Sequence, residues 1–133
     1  MTQRERLMAV SEDKPREACG KYIYVHVDGK FRDILPLIAG SEVDCVQAIT
    51  PAPVCDVPVE ALRALAGPDL ILWGGIAAVF LSRNYPEHIF RDAARACIEL
   101  YRDDPRFVLG VEDQVPPDAD IARLDFVREL IET

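Results

Sequence analysis

The chain predicts an α/β fold: four consecutive βα units forming half of a TIM (β/α)8 barrel. Four strand-like segments carry the prediction: Tyr22–Asp28, Val43–Thr50, Leu70–Gly75 and Arg106–Asp113. They recur at roughly regular intervals, and each is followed by a helical pattern. Each is also apolar until its C-terminal end, where polar residues or glycine take over. Strands separated by helices pair in parallel through right-handed crossovers. A closed barrel of this kind takes typically ~250 residues; this chain has 133.

Residues 1–20 are polar and charged and read as a lead-in, with a short helix possible over Arg4–Val10 and a stop at Gly20. The half-barrel domain is expected over 21–133. Residues 22–28 alternate only weakly, as a parallel strand buried on both faces does. Phe31, Ile34, Leu35 and Ile38 have helical spacing, with Pro36 as a defect and Gly40 as the stop. The second strand runs from Val43 to about Ile49. The proline-braced loop Thr50–Asp56 follows, and Asp56 is placed to cap a helix over Val57–Ala66. Leu70–Trp73 is a short third strand ended by Gly74 and Gly75. A small helix over Ala77–Leu81 and a stronger one over Pro86–Tyr101 come next, the latter marked by Phe90, Ala93, Ala94, Cys97 and Tyr101. The fourth strand is Phe107–Val111. The last helix starts near Asp118 and buries Ile121, Leu124, Val127 and Ile131.

The formal net charge of -8 disfavours a sequence-independent nucleic-acid surface, which needs a basic footprint. It also disfavours anionic membranes. No apolar run reaches the roughly 20 residues of a transmembrane helix, and no signal-like stretch follows Met1. The four cysteines form no Cys-x-x-Cys pair, so disulfides are not indicated and a reducing cytoplasm is the expected setting.

The polar strand ends are the candidate chemistry. His26 and Asp28 lie two apart and so share one side of the sheet. Such a pair suits a divalent metal or acid/base work, and equally a histidine bonded to a neighbouring acid. Asp113 ends the fourth strand and either completes a metal site or bonds loop amides; Glu112 is expected to point the other way. Thr50 is a candidate ligand at the second strand end. Trp73 and Gly74 offer an apolar wall and close backbone approach, or simply core and turn. Cys45 and Cys97 read as core, Cys55 as the one cysteine worth testing, and His88 as a surface helix residue.

Together, Val25-His-Val-Asp-Gly-Lys30, Ala48-Ile-Thr-Pro-Ala-Pro53 with Asp56, Ile71-Leu-Trp-Gly-Gly-Ile76 and Leu109-Gly-Val-Glu-Asp-Gln-Val-Pro-Pro-Asp118 resemble the C-terminal half of the uroporphyrinogen decarboxylase superfamily. The resemblance runs from Lys21 onward. It implies a TIM-barrel fold and one of two activities: decarboxylation of a tetrapyrrole-type substrate without a cofactor, or zinc-dependent methyl transfer between a corrinoid protein and an acceptor. The chain looks closer to the methyltransferase-like branch. That branch places a His-x-Cys pair and a further Cys at strand ends; the matching positions here are His26, Asp28 and Asp113. Carboxylates thus replace both thiolates, which favours harder metals. By this resemblance His26, Asp28 and Asp113 hold zinc or another divalent ion, while Thr50, Trp73 and Gly74 line a small-molecule pocket. The N-terminal half of such a barrel is missing from this chain. The open sheet is therefore expected to associate with a second copy or with a complementary N-terminal half-barrel. The alternative expectation is a non-catalytic, partner-dependent fragment.

Overall fold

The computed structural model describes residues 21–133. The lead-in expected over 1–20, and Cys19 with it, lie outside the described residues. Strands β1 (Tyr24–His26), β2 (Cys45–Ile49), β3 (Ile71–Ala77) and β4 (Phe107–Glu112) form one sheet in that order. All three pairings are parallel. Between and after them come α1 (Leu35–Ala39), α2 (Leu62–Ala66), α3 (Glu87–Tyr101) and α4 (Arg123–Glu132). The chain is an α/β structure with an all-parallel sheet, as its alternating apolar segments predict.

The longest helix shows why these segments fold as they do. In α3 the buried residues are Phe90, Ala94, Cys97, Ile98 and Tyr101, a single stripe at helical spacing. Its outer side carries an Arg91–Glu87 ion pair at 2.7 Å, one turn apart. The stripe packs against two core clusters. One gathers Val46, Ile49 and Leu72 of the sheet with Phe31, Leu35, Leu62, Cys97 and Tyr101. The other gathers Ile76 and Ala77 with Phe80, Phe90, Ala94, Ile98 and Val127. Complete burial of one such large apolar side chain stabilises the fold by about 1.5–3 kcal/mol.

Several expectations need correction. β1 is an edge strand, not one buried on both faces: Tyr24 is 63% exposed. α1 starts only at Leu35, so Pro36 falls in its first turn, where the missing N–H costs nothing. Asp56 does not cap the helix that follows it. Its Oδ1 accepts the N–H groups of Phe31 (3.2 Å) and Arg32 (3.4 Å), holding the entry to α1 instead. The helix expected over Val57–Ala66 is split into a 3-10 turn at Val59–Ala61 and α2. β3 does not end at its glycines but runs through them to Ala77. α4 begins five residues later than Asp118, whose carboxylate accepts from Ser82 Oγ (2.6 Å) and Asn84 Nδ2 (3.0 Å). Of its expected stripe Val127 is buried, whereas Ile121 and Ile131 are exposed.

Among the described residues, the opposite side of the sheet has no such cover. Register aligns His26 with Gln47, Gln47 with Trp73 and Trp73 with Val108, one row across all four strands. Trp73 is 38% exposed and Val108 44%. No helix among the described residues is long and apolar enough to cross a membrane.

Candidate functional site

An open cleft of about 370 Å³ lies at the C-terminal ends of the strands, lined by His26, Asp28, Gln47, Val111, Glu112, Asp113 and Gln114. Ligands of parallel sheets bind in this place, outside the carboxyl ends of the strands.

Glu112 is the buried centre of the cleft. Its regular place in β4 puts it on the same side of the sheet as Val108 and Gly110, so the expectation that it points away is overturned. Two glycines seat it. A Cβ on Gly74 would lie 2.8 Å from Glu112 Cγ, and one on Gly110 would lie 2.7 Å from Glu112 Oε1. Gly74 therefore makes room for a side chain of this same protein.

The backbone is bent toward that carboxylate. Between Gln47 and Ile49 the β2–β3 register shifts, and Ala48, the residue at the shift, has φ 69°. A non-glycine residue in the left-handed region is strained, and bulges of this kind re-aim groups near functional sites. Here the Ala48 backbone N–H lies close enough to the Glu112 carboxylate to pull its pKa down.

A hydrogen-bonded chain leads from Glu112 to the cleft mouth. Gln47 Nε2 donates to Glu112 Oε2 at 3.2 Å. Gln47 Oε1 faces His26 Nδ1 at 3.0 Å, and His26 Nε2 faces Asp28 Oδ1 at 3.2 Å. Because Glu112 takes the donor end of the amide, the acceptor end is left for His26, and Nδ1 carries a hydrogen. Nε2, opposite a carboxylate, carries one too. Acceptors at both ring nitrogens favour the protonated ring. Consistently, the His26 pKa is raised above its ordinary 6.5, by the Gln47 contact first, then by the bond to Asp28 and the acidic charges. Burial pushes the Glu112 carboxyl above its ordinary value, against the opposing pull of His26, Ala48 N–H and Gln47.

The structure brings His26 and Asp28 together as an exposed pair. Asp113 lines the same cleft. Its φ is 76°, and its Oδ1 accepts the Gln114 N–H at 2.7 Å. Among the described residues no group of three or more His, Cys, Asp or Glu side chains is placed to hold a metal ion. Thr50 is buried behind the cleft, its Oγ1 2.9 Å from Cys55 Sγ, which donates to Gly29 O at 3.1 Å. Trp73 stands on the uncovered sheet face, in register with Val108, four residues before Glu112, and beside Gly110. The thiols of Cys45 and Cys97 are buried, and burial pushes them up to about 11 and about 12.

Sequence reasoning missed Gln47 and Glu112. Both left a signal. Gln47 is the one polar residue of β2, and Glu112 alternates with the apolar set Phe107, Leu109 and Val111.

Fold and site together define a class: a domain of parallel βα units with an acid/base cluster at the carboxyl ends of its strands. Beyond that class, no protein-family model matches the chain and no curated protein matches it.

Proposed function

We propose that this chain is the C-terminal half of a decarboxylase-superfamily (β/α)8 barrel, and that its cleft supplies the proton in decarboxylation of a small tetrapyrrole-type acid. The observation that carries the reading is the chain Asp28–His26–Gln47–Glu112 across the strand ends. The motif order along the sequence and the uncovered sheet face support the half-barrel part. The second reading is metal-assisted methyl transfer with a corrinoid partner, in which His26, Asp28 and Asp113 would hold the metal.

His26 is the general acid. When the substrate loses CO₂, the electron pair of the broken C–C bond stays on carbon. Nε2–H then protonates that carbon, and His26 recovers a proton from water. Asp28 and Gln47 fix the ring, while Glu112 keeps a negative charge close enough to hold the imidazolium. A general acid of this type contributes about 10²–10⁴-fold to a rate.

Release of CO₂ from uroporphyrinogen tests the reading. Expected is turnover by the wild type, reduced at least about 100-fold in His26→Ala and in Glu112→Gln. Equal turnover in wild type and His26→Ala would refute His26 as the acid. Absence of turnover in a folded wild type at every concentration would refute decarboxylation.

A further inference from the structure

We propose that two copies of this chain close one eight-stranded barrel, β4 of each pairing in parallel with β1 of the other, so that the partner's Asp113 stands beside His26 and Asp28. The proposal rests on the half-barrel reading and names what covers its open face.

The two free edges fit each other. On β1, Ile23 O accepts from Cys45 N and Val27 N donates to Gln47 O. Parallel strands bond through alternate residues, so the backbone groups of Tyr24 and His26 face away from β2, toward the free edge. On the other side Arg106 O accepts from Leu72 N. By the same alternation Phe107, Leu109 and Val111 present their backbone groups outward. Joining like edges about a twofold axis gives antiparallel strands and leaves the sheet face open. Joining unlike edges twice continues the parallel order β1-β2-β3-β4 without a reversal and closes the ring.

Three further observations favour a second copy as the occupant. Four strands from each copy make eight, the number at which side chains alone fill the interior of a barrel. The residues that would fill it, Tyr24, Trp73 and Val108, are large and half exposed on one face of this sheet. Charge also matches at the new seams. Lys30 is exposed at the end of β1, beyond the paired His26 and Asp28, and Asp113 is exposed at the end of β4, next to the buried Glu112. Parallel pairing sets these ends side by side. An unpaired β edge is otherwise an open template for association.

The chain contains a single tryptophan, Trp73, on the face to be buried. Sedimentation and Trp73 emission are therefore followed together across a dilution series of the full chain. Expected is a particle of two chains that dissociates on dilution, with emission moving to longer wavelength as it does. Tyr24→Pro removes an edge N–H that β2 does not use, and Val108→Lys places a charge on the face that closure buries. Both are expected to sediment as single chains with wild-type far-UV circular dichroism. A wild type that remains a single chain up to millimolar concentration overturns the proposal, as does a dimer that Val108→Lys leaves intact. The His26 titration, followed by NMR, separates the two readings. A single-chain wild type whose His26 still titrates above 6.5 sinks the closure alone. A dimer whose His26 titrates at or below 6.5 sinks the acid/base reading alone.

Discussion

The two ends of the sheet are built on opposite plans. At the N-terminal ends of the strands, Arg63 is a saturated staple. Its guanidinium donates to Asp104 Oδ2 (2.9 Å), Gly67 O (2.9 Å), Leu70 O (2.8 Å) and Arg106 O (3.1 Å). It thus ties α2 to the starts of β3 and β4, mostly out of water. The C-terminal ends hold two strained non-glycine residues, Ala48 and Asp113, a buried carboxylate and an exposed His26–Asp28 pair. At one end the Arg63 guanidinium is fully used in tying elements together. The other spends conformational strain to aim groups at an open cleft. In parallel βα folds the former plan belongs to stability and the latter to chemistry.

Substitutions at each end sharpen this contrast. The largest effect is expected at Gly74, where a Cβ would lie 2.5 Å from Ile49 O and 2.8 Å from Glu112 Cγ, at φ 145°. Gly74→Ala is predicted to cost more than about 4 kcal/mol in urea unfolding, because backbone and a buried side chain must both shift. A cost below about 1 kcal/mol would show that the glutamate seat is loose. Arg63→Ala is next, at about 3 kcal/mol, since it leaves Asp104 and three carbonyl oxygens without their donor. Arg63→Lys should recover only part of that, as an ammonium cannot reproduce the fork.

Ala48→Gly moves the other way. Relief of the left-handed strain is worth about 1–2 kcal/mol, offset in part by the lost methyl and by backbone entropy. The prediction is a gain of up to about 1 kcal/mol with an accompanying loss of turnover, as the bulge loosens its aim on Glu112. If Ala48→Gly destabilises the fold, the strain argument fails. At the mouth, exposed His26→Ala should lower the urea midpoint at neutral pH only slightly while reducing turnover at least about 100-fold.

The pH dependence has a definite sign. His26 titrates above 6.5 when folded, so its stabilising contribution is complete below 6.5 and is lost as pH rises through the folded value. Glu112 titrates above 4.5 when folded because it is buried. Its cost is absent below 4.5 and grows as pH rises through that raised value. Both slopes run the same way, so the joint contribution of these two groups falls from acid toward neutral pH. Glu112→Gln is expected to flatten the urea midpoint against pH over that window. An unchanged slope would remove Glu112 from the account.

How far these features could be read without a structure depended on parity. The four strands were legible because apolar runs such as Leu70–Leu72 and Phe107–Val111 stand between polar ends, and α3 because its stripe repeats over four turns. The His26–Asp28 pair was legible because two residues apart on a strand means one face. Glu112 is misplaced when alternation is counted from Asp113, the last charged residue of the apolar run. Asp113 has already left the strand, at φ 76°, so its side chain no longer follows the alternation. The role of Asp56 was illegible for a different reason. Its partners, Phe31 and Arg32, are 25 and 24 residues away, and local capping rules do not see them. The same holds for Arg63, whose bonds to Asp104 and Arg106 span 41 and 43 residues.

Gly75 has one more consequence. A Cβ there would lie 2.5 Å from Cys97 Sγ, so the thiol is pressed between α3 and the back of β3. With its pKa pushed up to about 12 and no exposed surface, Cys97 reacts with an alkylating reagent only in molecules whose long helix has lifted off the sheet. Its labelling rate is a clock for that opening. Cys55, half-buried in the loop after β2, serves as the internal standard for unhindered reaction.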